Sequence, residues 1–156
     1  MIRRRLKCDR GSELIEFTLV TPLLLVVLFG IVDFGLLFRR YEVLTNAARE
    51  GARIAAIDGY TNTQIQNRVT DYLTASGLDA PTWPTPPVTT EAVPIGGGAC
   101  VTVRGVTFNY TNNFLAFGQI IRLIGGGSGF TAKTLTLSAK MRYEGAALAC
   151  PAGAGS

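Results

Sequence analysis

Residues 14–38 read LIEFTLVTPLLLVVLFGIVDFGLLF, an apolar run of 25 residues that contains two acids, Glu16 and Asp33. As an α-helix the run would be about 37 Å long, and the hydrocarbon core of a bilayer is about 30 Å thick. A buried helix in a soluble core is the alternative, but no other segment is apolar enough to surround it. The run therefore predicts one transmembrane helix. An acid deep in lipid costs roughly 2.5–3.5 kcal/mol, so we expect Asp33, near the outer end, to reach the interface.

The flanks of this run predict its orientation. Residues 1–11 contain five Lys and Arg side chains and one acid, so this leader carries the whole formal net charge of +4. Because Lys and Arg are enriched on the cytoplasmic side of membrane helices, the N-terminus is predicted to be cytoplasmic, and the chain from about Arg39 onward to lie outside. A nucleic-acid-binding domain would instead spread basic and aromatic side chains over a folded face, so no nucleic acid partner is predicted.

A short motif joins the leader to the apolar run. Residues 10–17 read RGSELIEF, in which Glu16 and Phe17 come five and six positions after Gly11. The motif resembles the type IV prepilin cleavage site, where a membrane peptidase cuts after the glycine. The resemblance implies a mature chain that begins at Ser12. An ordinary secretory signal is the alternative, but its apolar region would be only about 7–15 residues long.

Cleavage would give Glu16 a partner. The new α-amine at Ser12 has an ordinary pKa of about 7.7–8.0 and is largely charged at neutral pH. It can pair with Glu16 of the same or a neighbouring subunit and so fix the stagger between packed helices, a role for which buried polar groups are well attested. In the alternative interpretation, Glu16 only marks the inner edge of the membrane.

Two further regions carry a family resemblance. Residues 30–56, GIVDFGLLFRRYEVLTNAAREGARIAA, resemble the TadE-like family of the tight-adherence (Flp) pilus system, as do the Cys-led strand 100–111, the strand 134–144 and the final cysteine. The resemblance implies a minor pseudopilin of the bacterial inner membrane that contributes to pilus assembly or priming. Its implied partners are the prepilin peptidase, other pilin-like subunits and the assembly platform. A singly anchored envelope binding or tethering module that never enters a filament is the alternative.

The transmembrane helix is predicted to continue beyond the membrane, so that helix and extension cover residues 12–57. Small residues recur at every fourth position in the extension, which lets helices approach closely. They can pack either on the chain's own domain or on a partner; these residues are Ala47, Gly51 and Ala55, and Ala48, Ala52 and Ala56. A second helix, capped by Asn62 or Thr63, is predicted to end at Gly77, with Ile65, Val69, Tyr72 and Leu73 on one face.

Residues 58–156 are predicted to form one small periplasmic domain, which gives an α+β fold with a short antiparallel sheet packed on helix. Residues 81–98 are rich in Pro and Gly and predict a loop or linker that is partly extended. Trp83 in this segment suits packing over the core better than the alternative, a binding aromatic. Apolar parity changes at Arg104–Gly105 in the first predicted strand and indicates a β-bulge. Residues 134–144 alternate cleanly, and residues 114–124 have helical spacing that suits a core helix or, less well, a membrane-surface segment.

Composition argues against catalysis. The chain has no histidine, the commonest general base and metal ligand, and its Gly-rich runs lack the context of a phosphate loop, so we expect no enzyme activity, cofactor or metal. Of the three cysteines, Cys8 precedes the membrane run, whereas Cys100 and Cys150 follow it into an oxidising compartment. These two are predicted to form a disulfide.

Overall fold

The computed structural model describes residues 9–96, 99–115, 118, 120 and 132–150. Along the chain, the elements are α1 (Asp9–Ala56), α2 (Asn62–Ala75), β1 (Val88–Gly96), β2 (Ala99–Asn113) and β3 (Ala132–Arg142). Most of the leader, with Cys8, and most of the helix predicted over 114–124 lie outside the described residues. The chain divides into two compact units, Met1–Leu36 with Asn113–Ala132, and Leu37–Asn112 with Lys133–Ser156.

The long apolar helix is confirmed, since α1 runs unbroken for 48 residues. Within the part of the chain that the structure describes, it is the one helix long and apolar enough to cross a membrane. Its most apolar window has a mean hydropathy of 2.4, and none of that window is buried. Within this region the hydroxyls of Thr18 and Thr21 donate to the carbonyls one turn earlier, each at 2.7 Å, so their polar atoms are satisfied within the helix.

The last turns of α1 are covered by the chain's own second unit. Leu44, Ala47 and Ala55 are fully buried in a core that also contains residues of α2 and β2. Gly51 shows how close this packing is, because a Cβ at that position would lie 2.6 Å from a methyl group of Val69 in α2. Of the two interpretations of the small residues, packing on their own domain is the one the structure shows.

The N-cap of α2 lies one residue before the first of its two predicted caps. The N-cap is Thr61, which forms a capping box with Gln64; the predicted caps Asn62 and Thr63 lie inside the helix, so that prediction was wrong. Ile65, Val69 and Leu73 are buried as predicted. Tyr72, which was predicted to lie on the same face, keeps 36% of its surface accessible. Gly77 follows the helix with φ of +75°, a conformation that favours glycine.

The sheet has three strands in the order β1-β2-β3, and its antiparallel architecture was predicted. Strand β1 was missed, because residues 81–98 were predicted to be a loop, and β1 occupies Val88–Gly96 within that range. It pairs antiparallel with β2 from Val88, opposite Val106, to Pro94, opposite Cys100. An edge strand tolerates proline, which explains why the proline content was misleading.

Strand β2 has no bulge where one was predicted. Its pairing with β1 is continuous through Arg104 and Gly105. One parity includes the buried residues Thr102, Val106, Phe108 and Tyr110 and the partly buried Arg104, and Gly105 on the other parity is buried as well. Thr102 and Arg104 face inward because each has a polar partner there. The Thr102 hydroxyl accepts from the N–H of Leu148 at 2.8 Å, and the Arg104 guanidinium donates to the Ala55 carbonyl at 3.1 Å. Polar side chains on the buried face therefore produced the apparent change of parity.

Two other predictions for this domain are confirmed. The exposure of β3 alternates, and Leu137 is its most buried side chain. Trp83 packs over the core, with its ring centroid 5.6 Å from that of Phe108, which is fully buried. The single tryptophan thus reports on the packing of the second unit.

Candidate functional site

The predicted cleavage site lies in the first turns of α1. Gly11 and Ser12 are both helical and exposed. A Cβ placed on Gly11 would meet nothing within 4 Å, so the fold does not require a glycine there. Glycine costs about 1 kcal/mol relative to alanine inside a helix. The fold therefore gives no reason for a glycine at this position, as it gives none for Gly35 in the same helix.

Glu16 and Phe17 continue the same bare helix. Both are exposed, and the Phe17 side chain keeps 68% of its surface accessible. Glu16 follows Ser12 by four residues, which places the two on one face of the helix, one turn apart. An amine created at Ser12 would therefore lie beside the Glu16 carboxylate of its own chain, and both would be open to a neighbouring helix.

Most of the remaining side chains of the apolar run are also exposed in the isolated chain. Large apolar side chains are exposed along its length, among them Leu19, Leu23, Leu28, Ile31 and Phe38. Contiguous apolar surface of this extent marks contact with a membrane or with other proteins. A bilayer or a bundle of similar helices would satisfy this surface, and water would not.

Asp33 differs from its neighbours in the run, because it is only 4% exposed. One of its carboxylate oxygens accepts a hydrogen bond from the backbone N–H of Leu115 at 3.1 Å. The sequence predicted that this acid would reach the membrane interface. The structure gives the carboxylate a protein donor, in the segment that directly follows β2.

The two outer cysteines are joined, in the pairing predicted from their compartment. Cys100 near the start of β2 and Cys150 after β3 have Cα atoms 5.6 Å apart and bonded sulphur atoms. The tail after β3 is held along β2 by hydrogen bonds as well. The N–H of Tyr143 donates to the Thr102 carbonyl at 2.8 Å.

A polar cluster at the end of α1 was not predicted. The Arg104 guanidinium lies 5.2 Å from the centre of the Tyr143 ring, and the Tyr143 hydroxyl donates to Asp58 at 2.6 Å. This hydrogen bond, with a second from the N–H of Gly59, holds the pKa of Asp58 below its ordinary value. The same bond to Asp58 raises the pKa of Tyr143. The cluster ties the helix end, where Arg104 meets the Ala55 carbonyl, to the sheet.

Among the described residues, no group of three Cys, Asp or Glu side chains is placed to hold a metal ion. The features that remain for function are the motif at Gly11–Phe17, the bare helix and the small disulfide-linked domain.

The model of the family described as TadE-like protein matches residues 11–53. The match begins at Gly11 and runs through the bare part of α1 into its buried last turns, so it confirms the resemblance for this part of the chain. The resemblance of residues 100–111 and 134–144 lies outside the match and stays a prediction. No curated protein and no solved structure matches the chain. The matched stretch covers 43 of the 156 residues, and the long apolar helix that contains it fits a single-pass membrane anchor.

Proposed function

We propose that this protein is a minor pseudopilin that contributes to the assembly or priming of a tight-adherence (Flp-type) pilus, after a prepilin peptidase cuts it between Gly11 and Ser12. The TadE-like match, which starts at the proposed cleavage site, supports the pilus system. The finer role is our inference from the site.

The observation that carries the proposal is the place of Gly11 in the motif, because it ends the basic leader and precedes Glu16 by five residues. Gly11 lies in a helix, where glycine is unfavourable, and no neighbour within 4 Å would oppose a side chain. Gly51 in the same helix provides the contrast, because Val69 leaves no room for a Cβ there. A peptidase that needs close backbone access at the scissile bond accounts for Gly11, whereas packing accounts for Gly51.

The bare helix supports a role in association. Removing residues 1–11 takes away the basic leader and leaves an α-ammonium one turn before Glu16. In a bundle of such helices, each ammonium can be met by a carboxylate of its own or a neighbouring chain, which offsets the cost of taking both charges out of water. Other pilin-like subunits and the assembly platform are the partners that present such helices.

The proposed topology places the N-terminus in the cytoplasm, α1 across the bacterial inner membrane, and the small domain in the periplasm. The basic leader supports this orientation. The Cys100–Cys150 disulfide suits an oxidising compartment. We propose a structural rather than an enzymatic role, because the chain has no histidine and its outer cysteines are joined to each other.

Mass measurement of the membrane-extracted protein, from cells with and without the prepilin peptidase, tests the proposal. With the peptidase, the mass should correspond to a chain that begins at Ser12. Gly11→Leu should remain full length. The matched control is Gly35→Leu, because Gly35 lies in the same helix and likewise has nothing within 4 Å of a Cβ; this variant should be processed normally.

An uncut native chain in cells that carry an active peptidase would contradict the proposal. The protein would then be better described as an anchored envelope binding or tethering module. Equal processing of Gly11→Leu and the native chain would remove the special role of the glycine.

A further inference from the structure

We propose that the corner formed by Asn113, the last residue of β2, and the next two residues, Phe114 and Leu115, is a second membrane-contacting site. In this proposal Asp33 of the transmembrane helix anchors the corner, and the Leu115 side chain enters the outer part of the lipid bilayer. The partner is therefore a lipid surface. The inference rests on the membrane-spanning role proposed above for α1.

The anchor is a hydrogen bond between two segments that are far apart in the sequence. The N–H of Leu115 donates to a carboxylate oxygen of Asp33 at 3.1 Å, and Asp33 is 4% exposed. The backbone of Leu115 is thereby fixed at the level of Asp33 along the helix. Its own side chain points away from this contact, since 71% of its surface is accessible.

The level of Asp33 is within reach of lipid. Asp33 lies inside the apolar run, five residues before its last residue, Phe38, which is about 7–8 Å along a helix. The polar layer on each side of a bilayer core is only about 5–8 Å thick, so Asp33 lies near the boundary between that layer and the acyl chains. The apolar side chains beside it on the helix, Ile31 and Phe34, are exposed as well. Lipid that covers them would also cover Leu115.

The chemistry of the contact suits this environment. A single exposed leucine is ordinary on a protein in water. In lipid, however, the backbone N–H of a non-helical corner and the carboxylate of Asp33 would each be costly if left without a partner. Here each satisfies the other, and the side chain left outside is apolar. The contact thus gives one backbone donor of this non-helical corner the partner that an environment without water requires.

The test uses the full chain in phosphatidylcholine vesicles. Single cysteines that carry an environment-sensitive fluorophore are placed in a Cys8→Ser background, in which Cys100 and Cys150 stay paired. Leu115→Cys is the test position. The matched control is Ile95→Cys. Ile95 is a similarly exposed apolar side chain, with 64% accessible surface, next to the last residue of β1. Leu28→Cys, in the middle of the run, reports on the span itself.

Spin-labelled lipids and aqueous iodide then report on the surroundings of each fluorophore. With the spin label high on the acyl chain, the probe at position 115 should lose more fluorescence than the probe at 95. It should also be less sensitive to iodide. Asp33→Asn keeps an acceptor and should preserve lipid quenching at 115, whereas Asp33→Leu lacks one and should reduce it.

A probe at 115 that responds to iodide as the probe at 95 does, and not to lipid, would overturn the inference. So would shielding from both quenchers, which would indicate a protein cover, or lipid quenching that is unchanged by Asp33→Leu. Deep-lipid quenching at position 28 in the same experiments would leave the membrane span standing. Its absence would instead refute the span.

Discussion

Gly51→Ala adds a single methyl group where α1 packs most closely on the rest of its domain. The new Cβ would lie 2.6 Å from Cγ2 of Val69 and 3.4 Å from Cγ1 of Val106. Carbon atoms in ordinary contact are about 3.5–4.0 Å apart, so Val69 would have to retreat by nearly 1 Å. Both valines are fully buried, and a valine in a helix has one strongly preferred rotamer, so the side chain cannot simply turn away.

The magnitude follows from two opposing effects. Overpacking a well-packed core typically costs about 1–3 kcal/mol of unfolding free energy, whereas replacing glycine by alanine in a helix gains up to about 1 kcal/mol. We therefore expect a net loss of about 1–2 kcal/mol. For a domain of 60–100 residues, each kcal/mol lowers the melting temperature by roughly 4–8 °C, so the expected fall is roughly 5–15 °C.

Thermal unfolding of the full chain in detergent, followed by the fluorescence of Trp83, measures this loss. The control is Gly35→Ala in the same helix, which meets no neighbour and should not lower the melting temperature. Val69→Ala, which removes the obstructing methyl groups, should make the added Cβ less harmful, so the double variant should lose less than the sum of the two single losses. An unchanged melting temperature in Gly51→Ala would refute the close packing. That result would favour the other interpretation of the small residues of α1, in which they pack on a partner protein.

Three further predictions concern the site and the domain. The Glu16→Gln variant should still insert and mature. It should co-purify less with other pilin-like subunits and lower the count of surface pili, because the α-ammonium of Ser12 loses its partner. Normal association would leave Glu16 as a residue that only marks the edge of the membrane. Thiol titration of the denatured, unreduced mature protein should find Cys100 and Cys150 unreactive, and two reactive thiols would contradict the disulfide. The lowered pKa of Asp58 means that its stabilising contribution is complete above its unfolded pKa and is lost as pH falls through the folded value. Tyr143→Phe, which removes the main cause, should therefore be less stable at neutral pH and should lose less stability than the native protein on acidification, measured by melting temperature at both pH values.

The features that could be predicted from sequence are those that depend on neighbouring residues. The apolar run and its helical extension are continuous in sequence, and β3 shows its buried face by simple alternation. The motif from Gly11 to Phe17 could be recognised for the same reason, because its residues lie within seven positions, and its cleavage stays a prediction. The local sequence pattern is sufficient to predict a helix or strand when each of its faces has the same surroundings along its whole length.

The features that were missed depend on partners that are distant in sequence. A bulge was predicted at Arg104–Gly105 because the inward partners of Arg104 and Thr102 are distant in sequence. These partners, the Ala55 carbonyl and the Leu148 N–H, lie 49 and 46 residues away. Strand β1 was missed because its proline, Pro94, is typical of a loop. An edge strand can nevertheless contain a proline, and β1 pairs with β2 through this residue. The donor for Asp33 lies 82 residues away in sequence, and no local pattern predicts such a contact.

The Cys100–Cys150 disulfide gives the chain different physical properties in a reducing and in an oxidising compartment. In a reducing compartment, the chain from Cys100 to Cys150 is an open segment that can be drawn out in single file. In an oxidising one, the bond closes a loop with a sequence separation of 50, and loop closure of that size removes unfolded-chain entropy worth about 4 kcal/mol in the chain-entropy model. A closed loop also has a wider cross-section than a single strand, because two lengths of chain must pass together. In the proposed topology, the reduced chain would cross the membrane first and be oxidised afterwards. The closed loop would then oppose return of the domain through the same narrow path, so the disulfide would make export effectively one-way.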